Sequence, residues 1–244
     1  MMKVDISSFN WQQVPLFNEM QDGDINRFVS SGFRFQYEAG SQLVSNSDPG
    51  ETFFLILRGM AKLGLVNSRK ESVNVTLFVP GDFFGEMAML DPVSIRSGDI
   101  QAITDLEVMT IHKKEFLKMT QECSQLSFNL ARNMAHRLRM MNERLVTDTL
   151  PDPLRKVAYT LLMLSAKGKR HPVDNSHILM PPLSLLDWSL FCYTSIEVFR
   201  ASLDMLKRAN VVDVISHQLI ITDIVSLERI AKVNTENEEA DELL

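Results

Sequence analysis

Two neighbouring pairs of residues, Gly85-Glu86 and Arg96-Ser97, carry groups suited to holding a small phosphate ester. An arginine guanidinium can donate two parallel hydrogen bonds to a phosphate, and a serine hydroxyl can donate a third. A glutamate carboxylate only accepts, which suits a sugar hydroxyl, and a glycine lets the backbone approach a ligand closely. The cyclic phosphate and free ribose 2′-hydroxyl of a cyclic nucleotide match these groups. We call these four residues the clamp.

The elements around the clamp are predicted to be short strands. Nine of the ten glycines lie before residue 100, and the segments between them are rich in Phe, Val, Ile and Thr. Closely spaced strands with turn signals predict a compact antiparallel, jelly-roll-like β-roll. The predicted strands are 33–37, 52–57, 61–66, 73–79 and 99–111.

A long helix is predicted to follow the roll, because residues 114–147 lack Gly and Pro and are strong helix formers. Apolar residues in its second half follow the 3-4-3-4 spacing of a coiled-coil seam. A helix that packs only on its own domain is the alternative, but this helix has more apolar surface than one roll needs. We therefore expect a homodimer. The seam residues are Ala131, Met134, Leu138, Met141 and Leu145.

A second domain is predicted after Leu150-Pro151-Asp152-Pro153, since proline removes a backbone donor and disfavours helix before it. Ser184 is expected to cap a short helix reaching Phe191 or Cys192, and Ser195 to cap a second helix over 196–208. Helices, a turn and a strand pair in this order are typical of a winged helix-turn-helix. The sequence thus predicts an α+β fold with domains 1–113, 114–150 and 151–233 and an acidic tail, 234–244.

Composition places the chain among ordinary globular proteins, with 45% hydrophobic and 23% charged residues in 244. The longest apolar runs fall well short of the roughly 18 residues of a membrane span, and the start is not a convincing signal peptide. A cytoplasmic location is therefore expected. The net charge is −6, but five acidic residues belong to the tail. Cys123 and Cys192 are far apart and fit no metal-ligand spacing.

Residues 81–90 followed by Arg96-Ser97 resemble the phosphate-binding cassette of cyclic-nucleotide-binding domains. With the order β-roll, long helix and winged helix-turn-helix, nearly the whole chain resembles the CRP/FNR family of transcription regulators. The resemblance implies that Arg96 and Ser97 hold the cyclic phosphate and that Glu86 accepts from the ribose. It also implies that Arg137 steadies Glu86, and it includes Met87 in the cassette.

The base-reading positions depart from the family pattern. The resemblance places Met141 and Asn142 where a Thr-Ser pair reads adenine. An asparagine amide can still bond a base edge, whereas a methionine cannot replace a hydroxyl. Cyclic AMP is the first expected effector, with cyclic GMP or a cyclic dinucleotide as alternatives. Some relatives sense gases through haem, but a lone histidine is more often a surface or packing residue. No metal or haem is therefore expected.

Double-stranded DNA is the partner that the resemblance implies for the second domain. The matching contact positions are Ser184, Ser195, Ile196, Glu197 and Arg200. Glu197 matches a family glutamate, but the two family arginines fall on Ile196 and Ala201, and Arg200 is one position away. The alternative is a ligand-sensing dimer with a degenerate winged helix that acts through a protein partner. We find no nucleophile–base pair or Walker-type loop, so an enzyme is not expected.

Overall fold

The computed structural model describes residues 2–3, 9–66, 72–92, 95–148, 152–172, 177–216 and 218–232. The chain divides into two compact units, residues 1–141 and 142–244. The domain boundaries expected from the sequence stay a prediction. Pro151 and the acidic tail lie outside the described residues.

The first unit contains a β-roll made of two antiparallel sheets. One sheet has the strand order β1-β2-β9-β4-β7 and the other β3-β8-β5-β6. Strands that are neighbours in a sheet are mostly not consecutive in the sequence, so the chain passes repeatedly from one sheet to the other. The strands are β1 (Met2–Lys3), β2 (Phe33–Tyr37), β3 (Gln42–Val44), β4 (Thr52–Arg58), β5 (Ala61–Val66), β6 (Ser72–Phe78), β7 (Phe83–Phe84), β8 (Asp99–Ala102) and β9 (Leu106–His112).

Strand β4 is buried on both faces, because its alternating side chains enter two different cores. Phe54 and Ile56 point into the core shared with residues of the other sheet, whereas Phe53 and Leu55 point into a core shared with helices. This period of two is what a pleated strand imposes. Burying one such large apolar side chain contributes about 1.5–3 kcal/mol.

The expected single strand over 99–111 is wrong, because the structure has two strands there in different sheets. β8 pairs with β5, and β9 pairs with β4. Between them, the Ile103 N–H donates to the Met60 carbonyl, and Thr104 Oγ1 accepts from the Met60 N–H. Gly59 has φ +84, and a Cβ there would lie 2.1 Å from the Asp105 oxygen. These close contacts turn the chain from one sheet to the other.

Four helices accompany the roll. They are α1 (Asp22–Ser30), α2 (Glu86–Leu90), α3 (Lys113–Glu122) and α4 (Ser124–Asp148). The expected continuous helix over 114–147 is wrong, because the extended Cys123 separates α3 from α4. The break lets Phe116 of α3 and Leu126 and Leu130 of α4 pack in one core. Tertiary packing therefore overrides the helix propensity of this segment.

The second unit has the architecture of a winged helix-turn-helix, with a four-stranded sheet in the order β10-β11-β13-β12. Its elements are α5 (Pro153–Ser165), β10 (Lys169–Arg170), β11 (Ile178–Leu179), α6 (Leu185–Phe191), α7 (Ile196–Arg208), β12 (Val212–Ile215), β13 (Gln218–Ile221) and α8 (Ile224–Lys232). Helices α1, α2 and α8 are not among the elements predicted from the sequence.

Two serine caps predicted from the sequence are present in this unit. Ser184 Oγ accepts from the Asp187 N–H at 3.0 Å, and Ser195 Oγ accepts from the Val198 N–H at 3.3 Å. In the turn between α6 and α7, Tyr193 has φ +50. The Thr194 N–H donates to the Ser189 carbonyl, which closes a Schellman-type end of α6. A left-handed residue is therefore required at position 193, where a tyrosine is less favourable than glycine.

Candidate functional site

Glu86 is the buried acid of the site, with an exposed fraction of 1%. It is the first residue of α2, directly after Gly85, whose φ of +96 lets β7 turn into the helix. One carboxylate oxygen, Oε1, accepts from Arg137 Nη1 at 2.7 Å. The other, Oε2, is buried and has no hydrogen-bond partner among the described residues. An unpaired carboxylate oxygen in this position can accept a bond from a ligand hydroxyl.

Burial raises the pKa of Glu86 above its ordinary value, because a low-dielectric environment disfavours the charged form. The positive charges of Arg137 and Arg96 act in the opposite direction and lower this pKa. Desolvation therefore disfavours the charged form of Glu86, whereas the two guanidinium groups favour it.

Arg96 is 7% exposed and spans two backbone carbonyls. Its Nη1 donates to the Gly85 carbonyl at 3.1 Å, and its Nη2 donates to the Thr52 carbonyl at 2.5 Å. The guanidinium carbon lies 5.7 Å from the centre of the Phe54 ring. Because a guanidinium has five N–H donors, two such bonds fix its plane and leave capacity for an anion.

Gly85 lets Arg96 lie close to the backbone, and Gly98 lets the segment after Arg96 lie close to β5. A Cβ at Gly85 would lie 2.5 Å from Arg96 Nη1 and 2.6 Å from the Thr52 oxygen. A Cβ at Gly98 would lie 2.6 Å from Leu65 Cδ2 and 2.7 Å from the Gly64 oxygen. Because a carbonyl oxygen in a strand cannot easily shift, even alanine would disturb the segment that carries Arg96.

Arg137 reaches the clamp from α4. Its second terminal nitrogen donates to the Phe83 carbonyl. Its guanidinium carbon also lies 4.4 Å from the centre of the Phe83 ring and 5.9 Å from that of Phe78. Bonds to a carboxylate and a carbonyl, with aromatic faces beside them, hold the guanidinium in one orientation.

The structure brings together Gly85, Glu86, Arg96 and Arg137, which the sequence analysis had singled out. Ser97 follows Arg96 and is exposed, and Met87 is 58% exposed on α2. Met141 and Asn142 are both exposed on α4, and their role in reading a base stays a prediction.

Sequence reasoning missed Thr52 and the aromatic side chains that hold the arginines. Thr52 acts through its backbone carbonyl, which every residue type has, so no sequence signal could have identified it. Phe54, Phe78 and Phe83 lie on three different strands, and only the strand pairing brings their rings to the two guanidinium groups.

The expected DNA-contacting residues lie at the beginning of α6 and α7. Glu197, Arg200 and Ala201 are exposed, whereas Ile196 is partly buried. Ser184 also donates to Asp187 Oδ2 at 2.7 Å, so its hydroxyl acts within the cap of α6. Contact of these residues with DNA stays a prediction. His217, which lies between β12 and β13 in the sequence, is outside the described residues.

The described ranges contain no group of three or more His, Cys, Asp or Glu side chains that could hold a metal ion. His112 Nδ1 accepts from the Lys114 N–H at 3.2 Å and so caps α3. None of the helices in the described ranges is long and apolar enough to cross a bilayer.

Comparison with known proteins agrees with this geometry. The sequence model of the family described as "Cyclic nucleotide-binding domain" matches residues 34–123, which include the clamp. The cyclic AMP receptor protein of Thermus thermophilus is 27% identical over 154 residues, 63% of this chain and 71% of that protein. The cAMP-activated global transcriptional regulator CRP of Salmonella typhimurium is 26% identical over 62% of this chain and 73% of its own.

A solved structure extends the similarity to both units. FixK2 from Bradyrhizobium japonicum superposes with a TM-score of 0.73 over 84% of this chain and 99% of its own. At 16% identity, this likeness concerns the fold alone. The domain match and the two relatives, together with the shared fold, support a regulator of the CRP/FNR type.

Proposed function

We propose that this protein is a homodimeric transcription regulator whose DNA affinity is switched by a cyclic nucleotide bound at the clamp. The observation that carries the proposal is the buried Glu86: Arg137 binds one of its oxygens, and the other has no partner in the part of the chain that the structure describes. A buried acceptor without a donor is costly, and a ribose 2′-hydroxyl would supply the missing hydrogen bond.

The cyclic phosphate would be held by Arg96, with Ser97 and neighbouring backbone N–H groups. The guanidinium is already oriented by the Gly85 and Thr52 carbonyls, so little side-chain entropy would be lost on binding. Cyclic AMP is the first candidate, because the relatives described above are named as cyclic AMP receptors or cAMP-activated regulators. Cyclic GMP and cyclic dinucleotides are the alternatives, since Met141 and Asn142 replace the family's base-reading pair.

The output would be DNA binding through α7, with Glu197 and Arg200 reading base edges in the major groove. Arginine is the residue that most often reads guanine there. The nucleotide can shift DNA affinity only by its differential affinity for two states of the dimer.

A protein partner is the second candidate for the output. The exposed face of α7 carries Glu197 and Asp204 beside Arg200, and Ala201 stands where the family has an arginine. DNA binding depends on cations that neutralise phosphates. Lys207 and Arg208 lie only in the last turn of α7, so the composition of its earlier turns favours the alternative of a winged helix used as a protein interface.

Calorimetric titration with cyclic AMP and cyclic GMP tests the ligand. We expect one of the two nucleotides to bind saturably to the wild type. The Arg96→Ala variant should bind neither, provided that its circular dichroism spectrum and melting curve show a folded protein. An absence of heat and of any melting shift at millimolar nucleotide would refute cyclic mononucleotide sensing. Unchanged affinity in the variant would refute the phosphate role of Arg96.

A mobility-shift assay on genomic fragments, with and without nucleotide, tests the output. Sequence-selective retention that weakens with salt supports the DNA-binding regulator. Retention that is absent at all nucleotide concentrations, in a protein that binds the nucleotide, supports the protein-partner alternative.

A further inference from the structure

Asn129 is a fully buried amide on α4, eight residues before Arg137. Its Nδ2 donates to the Leu16 carbonyl at 3.0 Å and to the Asn18 carbonyl at 2.7 Å. Its Oδ1 accepts from Gln125 Nε2 and Arg132 Nη2, each at 3.2 Å. The amide thus uses both donors and both lone pairs, and its donors tie α4 to the turn that precedes α1.

That turn has a strained shape. The Met20 N–H donates to the Phe17 carbonyl, Asn18 has φ −54 and ψ 130, and Glu19 has φ +60. These angles describe a type II turn, which favours glycine at its third position. Strain of this kind persists where the surroundings hold it. The bond from Asn129 to the central carbonyl of the turn is such a restraint.

Hydrogen bonds are needed here because apolar packing alone does not set the position of α4 along its axis. Leu126 and Leu130 are buried in the helical core, but hydrophobic contact is non-directional. A slide of one residue would move the helix by about 1.5 Å. A displacement of this size would change the length and angle of the 2.7 Å hydrogen bond from Arg137 Nη1 to Glu86 Oε1 and so weaken it.

We propose that Asn129 is a positioning residue that fixes the placement of α4 on the roll, so that Arg137 reaches Glu86 and the site binds nucleotide tightly. This inference rests on the proposed function for its effect on affinity. The positional effect itself concerns only the contacts between α4 and the roll, and it can be measured without a ligand.

A double-mutant cycle on the full chain tests the proposal. Cyclic AMP and cyclic GMP are titrated into the wild type, Asn129→Ala, Arg137→Ala and the double variant. We expect Asn129→Ala to weaken binding about tenfold, and to have no further effect once Arg137 is absent, because both changes act through one contact. Asn129→Ser, which keeps a small hydroxyl donor, replaces the alanine variant if the latter does not fold.

A ligand-free measurement accompanies the cycle, namely NMR titration of the Glu86 carboxyl carbon. Arg137 lowers the pKa of Glu86, so a displaced Arg137 should raise that pKa further in Asn129→Ala. Glu19→Gly is the control in the same turn, since it relieves the left-handed residue and leaves the bonds of Asn129 intact. It should melt no lower than the wild type, with unchanged affinity and an unchanged Glu86 titration.

The outcomes separate the two proposals. If neither nucleotide binds the wild type, cyclic mononucleotide sensing fails, and the Glu86 titration still decides the role of Asn129. If Asn129→Ala melts lower but keeps the wild-type titration and affinity, Asn129 is merely structural and the inference is wrong. Effects of Asn129→Ala and Arg137→Ala that add independently also overturn it.

Discussion

The two oxygens of Glu86 have different environments, and this asymmetry defines the chemistry of the site. Oε1 is bonded to Arg137, whereas Oε2 is buried without a partner. Because burial raises the pKa of Glu86, the protonated form of this group is more favourable in the folded protein than in the unfolded chain. The contribution of Glu86 to the free energy of unfolding is fully present below the ordinary glutamate pKa of about 4.3. This contribution is lost as the pH rises through the raised pKa of Glu86 in the folded protein.

Glu86→Gln should therefore affect stability and binding in opposite directions. An amide carries no charge to desolvate, so the variant should gain stability relative to the wild type as the pH rises from 4.5 to 8. Nucleotide affinity should fall by roughly 10- to 100-fold, which corresponds to the free energy that a hydrogen bond to a charged group contributes. Urea unfolding across this pH range and calorimetry measure the two effects.

Glu107→Gln is the matched control, because Glu107 is a partly buried carboxylate that is likewise paired with an arginine, Arg34. It should leave nucleotide affinity unchanged. Equal loss of affinity in both variants would contradict the role assigned to Glu86.

Arg200 is the arginine on the exposed face of α7 closest to the family's reading positions. Arg200→Ala should reduce binding to a selected DNA fragment by about 1–3 kcal/mol and relax sequence selectivity. Competition mobility shifts with selected and random fragments measure both effects. Arg208→Ala removes the same charge at the other end of α7 and should not change selectivity; an equal change in both variants would reject base reading by Arg200.

At the scale of elements, caps determine where the helices of the second unit begin. Ser195 accepts from the Val198 N–H, and α7 starts at the next residue. Such a cap satisfies one of the backbone donors that a helix end leaves without an intrahelical partner.

Ser195→Ala should destabilise the second unit by about 1 kcal/mol, because the cap is lost. Thermal and urea unfolding of the full chain, followed by a probe in this unit such as Trp188 fluorescence, measure the change. Ser195→Asp keeps a side-chain acceptor and should retain most of the stability. If alanine and aspartate are equally destabilising, the hydroxyl does not act as a cap.

For the whole molecule, apolar surface on α4 predicts how two copies associate. Leu138 is 61% exposed, Met141 50% and Leu145 66%, and all three belong to the seam predicted from the sequence. Packing against the seam of a second copy would remove this apolar surface from water.

Leu138→Glu should convert the proposed dimer into monomers, since burying a carboxylate in an apolar seam is costly. Sedimentation velocity at micromolar concentrations measures the change. Phe128→Glu is the matched control: Phe128 is 59% exposed on the same helix but does not fit the seam spacing. A dimer that survives Leu138→Glu, or that Phe128→Glu disrupts, would reject the seam.

Local chemistry made much of this protein predictable from its sequence. The clamp depends on residue types at fixed positions, the strands on alternating apolar residues bounded by turns, and the caps of α6 and α7 on single serines before helical segments. Each of these signals lies within a short segment, so the sequence alone predicted that Glu86 and Arg96 belong to one clamp, and it located the helix-turn-helix.

Tertiary contacts decided the rest, because they join residues far apart in the chain. No local sequence signal predicted the break between β8 and β9 or the break between α3 and α4. The chain turns at the first place because β8 and β9 pair in different sheets, and at the second because both helices pack into one core. The bonds of Arg96 to Thr52 and of Asn129 to Leu16 and Asn18 use backbone carbonyls, which have no sequence signature. The residue types of the clamp could be identified in the sequence. The burial that leaves one oxygen of Glu86 without a partner among the described residues exists only in the folded roll.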